Sequence, residues 1–146
     1  MNANAGAQVS SSWRTFFLVA ALYDLLLGAA FVVFGEQLLS AIGMELPPHV
    51  AYIQLAAVFI FVQGLSYALV YRDPLANLGI VRVGVAYKAA YAGLALWYLV
   101  IGLLPSVFFL PWAAIDLAFL IGFVLFLRAA GRGGSASRTS PSGDAA

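Results

Sequence analysis

Four apolar runs, each about as long as a bilayer is thick, constrain this chain more than any other feature. A helix needs about 20 mostly apolar residues to cross the hydrocarbon core. Residues 13–34, 50–71, 79–101 and 111–127 each approach or meet that length, the last being the shortest. Lipid offers no water to an exposed backbone, so runs of this kind span as helices. The expected fold is all-α: a polytopic integral membrane protein with four transmembrane helices in an up-down bundle. Composition agrees, with 64% of residues hydrophobic and 9% charged, against about 25% charged in a soluble domain. Pro111, at the head of the fourth run, suits a first-turn position.

The basic residues set an orientation. Arg14 precedes the first span, Arg72 and Arg82 flank the turn between the second and third, and Arg128, Arg132 and Arg138 follow the fourth. The other two loops carry only Glu36, Glu45 and the lone His49. The positive-inside rule therefore places both termini in the cytoplasm, and a bacterial inner (plasma) membrane is the expected location. Trp97, Tyr98, Trp112 and Tyr52 fall at the outer ends and Trp13, Tyr67 and Tyr71 toward the inner ends, as interfacial belts would.

The segments between and beyond the spans are short. Residues 1–12 form a polar N-terminal segment, and the apolar stretch after Arg14 is longer than a signal-peptide core, so it reads as a retained span. Residues 129–146 are rich in Gly, Ser and Ala and are expected to form a disordered cytoplasmic tail. In the outer loop, residues 35–49, Leu38, Leu39 and Ile42 have helical spacing before Pro47 and Pro48, which suggests a short amphipathic surface helix. The tight turn Tyr71-Arg72-Asp73-Pro74 should make spans two and three antiparallel neighbours.

Two ionisable residues sit in the middle of spans, Asp24 in the first and Lys88 in the third. Such groups are costly in lipid and face a partner, a cavity or a function. At about 1.5 Å per residue, Asp24 lies about 16 Å and Lys88 about 14 Å from the cytoplasmic end, so they are level. Gln63 reaches a similar layer in span two, and Asp116 sits about 7–8 Å from the outer end of span four. A lysine stem can climb toward a second acid. Asp24 has Ala20 and Gly28 four residues away on either side, and Lys88 has Gly84 and Ala92. Small residues at this spacing let helices approach closely, so both side chains should face the bundle interior. Tyr91 shares a helix face with Lys88, and Tyr67 shares one with Gln63. The candidate cluster, binding or structural, is therefore Asp24, Lys88, Asp116, Gln63, Tyr91 and Tyr67. A faint echo links Ala21-Leu22-Tyr23-Asp24 with Val85-Ala86-Tyr87-Lys88, each followed by a glycine (Gly28, Gly93), as two parallel two-helix units would show.

Much chemistry is excluded. The chain has no cysteine and one histidine, which removes disulfides, thiolate sites and bis-histidine haem, and leaves no spacing suited to zinc. No phosphate-cradling or dinucleotide glycine motif is present, and no serine occupies a nucleophile elbow. A net charge of +1 gives no basic patch for nucleic acid. No cofactor and no metal is implied.

In plan the chain resembles the small four-span bacterial membrane proteins grouped as DoxX-like. The resemblance covers residues 16–128 and rests on span count, the cytoplasmic termini, Tyr23-Asp24, Gly84-x-x-x-Lys88, Asp116 and the closing Phe126-Leu127-Arg128. It implies a four-span fold and, for some members, redox or respiratory accessory roles, but it transfers no functional residue. The absence of cysteine gives thiol redox no direct support here.

The function expected from these features is non-enzymatic. It is either an accessory membrane subunit or a bundle that binds a hydrophobic small molecule or lipid, with a membrane-protein partner or a homodimer as further expectations. Two alternatives stand beside it: a small proton-coupled transporter, and a membrane-embedded enzyme using the buried carboxylates as acid or base. Because native cysteine is absent, single introduced cysteines report sidedness. An impermeant maleimide outside intact cells is expected to label Glu45→Cys but not Ser12→Cys or Ala76→Cys; the reverse pattern inverts the topology.

Overall fold

The computed structural model describes residues 9–136, with the backbone alone for residues 133–136. Four helices follow one another: α1 (Ser11–Ala41), α2 (Ala51–Arg72), α3 (Leu78–Val100) and α4 (Ser106–Ala136). All four are long and apolar enough to cross a membrane. Their outer faces carry large apolar side chains such as Leu26, Phe59, Val83 and Val100. Helices apolar on both faces suit a lipid surround rather than water.

Two hairpins make the bundle. In the first, α1 and α2 pack antiparallel at backbone distance, because glycine removes the side chain at each crossing. A Cβ on Gly28 would lie 2.5 Å from the Phe61 nitrogen, one on Gly64 2.6 Å from the Leu25 nitrogen, and one on Gly35 2.6 Å from Ile53. Gln54 adds an interhelical hydrogen bond, donating from Nε2 to the Val32 carbonyl at 3.1 Å. In the second hairpin, α3 and α4 run antiparallel, with Gly84 against Phe123 and Lys88 against Asp116.

The hairpins are joined differently. At the end carrying Arg14, Arg72, Arg82 and Arg128, α1 and α4 meet through rings. Phe17 stacks on Phe123 at 5.6 Å and meets Phe126 edge-on at 4.9 Å, and Tyr67 of α2 meets Phe123 at 4.9 Å. Offset and edge-on pairs of this kind are the favoured aromatic geometries. The core of the molecule is concentrated here. The α2 and α3 helices meet mainly where the Tyr67 ring covers Gly84. They are thus less closely apposed than the tight turn suggests. That turn is nonetheless well tied: Asp73 Oδ1 accepts from the Ala76 N–H, and Asn77 Nδ2 donates to the carbonyls of Leu69 and Asp73.

The opposite end is closed by two glycine caps. Gly43 and Gly102 have φ of +73° and +75°. In each, the glycine N–H bonds back three residues and the next N–H bonds back five (Gly43 to Ser40, Met44 to Leu39; Gly102 to Leu99, Leu103 to Tyr98). These are Schellman motifs, which satisfy the last carbonyls of α1 and α3.

Several boundaries differ from the sequence reading. Leu38 and Leu39 belong to the last turns of α1, and no separate surface helix forms in residues 35–49. Here an uninterrupted backbone ladder runs on until Gly43. The fourth helix starts at Ser106, not Pro111. Proline costs it one bond, to the carbonyl of Val107, at an exposed position (93%). It also runs on to Ala136, so residues 129–136 are helical rather than a tail. Residues 1–8 of the N-terminal segment and 137–146 of the tail lie outside the described residues. Tyr67 is fully buried in the core and is no part of an interfacial belt.

The glycine contacts separate packing from propensity. Gly28→Ala is expected to cost about 1–3 kcal/mol by overpacking against Phe61. Gly93, whose added Cβ would meet nothing within 4 Å, should tolerate alanine or gain up to about 1 kcal/mol. Reversible unfolding in mixed micelles reads both; equal effects would contradict this packing.

Candidate functional site

Each helix brings one polar residue to a common layer. The buried stripe of α1 runs through Ala20, Asp24 and Gly28, and that of α3 through Gly84, Lys88 and Ala92. The small residues on either side bring the helices close and leave the ionisable side chain pointing inward. On α4 the buried positions include Ala113, Asp116 and Phe119. Asp24 and Lys88 are 1% exposed and Asp116 is 4% exposed.

The Lys88 ammonium lies between two carboxylates. Nζ donates to Asp24 Oδ1 at 2.8 Å and to Oδ2 at 3.1 Å, and it is 2.7 Å from Asp116 Oδ1. The Asp24 contact is a well-aligned charge-assisted hydrogen bond. The Asp116 contact is an ion pair by distance whose alignment is poor for a hydrogen bond, since Oδ1 has no well-formed one. Asp116 reaches this layer because α4 begins five residues earlier than Pro111. That places it about 15 Å from the helix start rather than 7–8 Å.

Aromatic rings surround the same nitrogen. Nζ is 5.2 Å from the Tyr23 ring centroid, 5.4 Å from Tyr87, 5.6 Å from Phe119 and 5.9 Å from Tyr67. Each such contact is worth about 0.5–1 kcal/mol at an exposed site and about 2 kcal/mol where the cation is desolvated. Tyr23, Tyr87 and Phe119 lie outside the candidate cluster read from sequence, although Tyr23 and Tyr87 belong to the echo between spans one and three. Tyr23 and Tyr87 each immediately precede an ion-pair residue, which was the available signal. Phe119 gave none, being one of many apolar residues in its span.

Several polar groups of the layer lack a well-formed internal hydrogen bond. The Tyr23 and Tyr67 hydroxyls and Gln63 Nε2 are buried without a well-formed hydrogen bond. Leaving such a group unmatched costs about 1–3 kcal/mol. Among the described residues no group of three or more His, Cys, Asp or Glu could hold a metal ion.

Next to this layer, toward the glycine-capped end, the two hairpins form a half-open cavity of about 230 Å³. Its floor is one helical turn from the polar layer on every helix. Leu27 stands three residues beyond Asp24, Ile60 three before Gln63, Tyr91 three beyond Lys88 and Trp112 four before Asp116. Tyr91 thus belongs to the cavity wall rather than to the set of rings around Nζ. Phe31, Phe108 and Phe109 add aromatic surface, and the remaining lining side chains are aliphatic or methionine. Only Tyr91 and Trp112 bring a hydrogen-bonding side-chain nitrogen or oxygen to it. The cavity left no trace in the sequence pattern, since it arises from how two hairpins diverge.

The chain matches no protein-family model, no curated protein and no solved structure.

With two acids on one base, the substitutions should rank. Lys88→Met strands both carboxylates and is expected to cost about 3–5 kcal/mol. Asp24→Asn leaves Lys88 with Asp116 and should cost clearly less. The apolar triple variant Asp24→Leu/Lys88→Met/Asp116→Leu should recover most of the loss, because no lone charge remains. Unfolding midpoints in mixed micelles decide; a triple variant weaker than Lys88→Met would contradict this ranking.

Proposed function

We propose that this protein is an integral membrane protein with cytoplasmic termini that binds a hydrophobic small molecule between its two helical hairpins. The carrying observation is the apolar cavity set directly on a buried, charged layer. Ligand sites are typically concave and mostly apolar, with a few polar groups that fix orientation. Here Tyr91 and Trp112 supply those groups, and the Asp24–Lys88–Asp116 layer supplies a field beneath them.

Other features support the same reading. Rings fill the bundle at the arginine end, and the cavity lies toward the glycine-capped end. The cavity wall draws on all four helices and the loop residue Met44, so occupancy would link the two hairpins. A role as accessory subunit in a bacterial inner membrane is compatible with this binding, the bound molecule then being what the larger assembly uses. DoxX-like proteins, which the chain resembles in plan, are consistent with such a role.

The wall also gives a direct test. Ala57 is buried on α2 and lines the cavity, so Ala57→Phe fills it from the rigid side. Native mass spectrometry of gently extracted protein is expected to show a small-molecule adduct on the wild type and little on Ala57→Phe. Identical adducts on both would rule the cavity out as the binding site.

A further inference from the structure

We infer that the cavity takes a small lipophilic cation: one positive charge carried on an aromatic or short alkyl body. This deepens the binding reading above and rests on it. Three independent observations converge on that class of ligand.

The first is charge. The buried layer contains two carboxylates and one ammonium, so with both acids ionised its formal charge is one negative unit. Its nearest cation, Lys88, is fully engaged, and the arginines of the described chain lie near the opposite ends of the helices. An uncompensated charge in a low-dielectric interior is costly. A cation one helical turn away would relieve that cost, an anion would add to it, and a neutral molecule would leave it unchanged. Asp116, whose Oδ1 is 2.7 Å from the Lys88 ammonium, is the acid whose helix brings Trp112, one turn away, to the cavity wall.

The second is the wall. Phe31, Tyr91, Phe108, Phe109 and Trp112, from three helices, line the cavity with aromatic rings. Aromatic faces attract cations, most strongly when desolvated, and they are the usual recognition surface for quaternary ammonium groups. The neighbouring layer already uses this chemistry, holding the Lys88 ammonium among four rings.

The third is size. At the packing density of protein interiors, about 0.75, a cavity of about 230 Å³ holds roughly ten non-hydrogen atoms. Benzyltrimethylammonium is near that size. Its neutral isostere, neopentylbenzene, differs only in carbon for the charged nitrogen. The pair therefore isolates charge from shape.

Both probes are titrated into wild-type protein and Asp116→Asn in micelles of an uncharged detergent, read by Trp112 fluorescence in a Trp13→Phe/Trp97→Phe background. In each protein, comparing the same probe cancels its partition into the micelle. Asp116→Asn is expected to weaken benzyltrimethylammonium by about tenfold or more and to change neopentylbenzene by less than about twofold. Equal binding of both probes, unchanged by Asp116→Asn, would overturn the cation preference and leave the hydrophobic site standing. No binding of either probe would overturn the binding reading itself. If Asp116→Asn does not fold, Ala57→Phe replaces it as the blocked control. Saturable wild-type binding of the cation with none of the isostere then supports the inference, and the converse overturns it.

Discussion

One ammonium group is shared across the boundary between the two halves of this molecule. Lys88 belongs to the second hairpin, and Asp24 belongs to the first. Their bond, 2.8 Å long and almost fully buried, is a charged link between hairpins whose shared core is mostly aromatic. Asp116, from the same hairpin as Lys88, approaches from another side at 2.7 Å. A lone buried charge costs far more than a paired one. The relative placement of α1, α3 and α4 is therefore constrained by the need to bring these three groups together.

What surrounds the shared charge is asymmetric along the bundle. Toward the arginine end, Phe17, Tyr67, Phe123 and Phe126 fill the space between hairpins. Toward the glycine-capped end, the same space is left open and apolar. The polar layer is thus both the last filled layer of the core and the base of the cavity. Glycine contributes to both features. Gly28 and Gly64 let α1 and α2 touch at backbone distance, and Gly84 admits the Tyr67 ring beside Lys88.

The part of this legible in sequence is the part encoded by spacing along one helix. Ala20, Asp24 and Gly28, and likewise Gly84, Lys88 and Ala92, fall on single helical stripes, and all six are buried. Four helices long and apolar enough to cross a membrane could be counted because length and hydropathy are local properties. Features that depend on where a helix begins were less accessible. Pro111 has a first-turn preference, yet it sits inside α4 at the cost of one backbone bond, and this shift brings Asp116 down to the Lys88 layer. Leu38, Leu39 and Ile42 carry helical spacing, but spacing alone cannot distinguish a new helix from the continuation of α1. The echo between Gly28 and Gly93 likewise fails in space: Gly28 packs on a backbone and Gly93 faces open surroundings. The ring set around Nζ and the cavity arise from tertiary packing, which no single-helix pattern encodes.

The shared ammonium can be observed directly, because Lys88 is the only lysine in the chain. Labelling lysine with ¹⁵N at Nζ and aspartate with ¹³C at Cγ gives one nitrogen resonance, free of assignment ambiguity. Solid-state dipolar recoupling in bilayers then reads its distances to carboxyl carbons. If Lys88 is held between Asp24 and Asp116, Nζ is dephased by two carboxyl carbons within about 4 Å, and Asp24→Asn or Asp116→Asn each alters one of the two contacts. Dephasing by a single carboxyl carbon, or by none, would contradict the three-way cluster on which the packing and the cavity reading both depend.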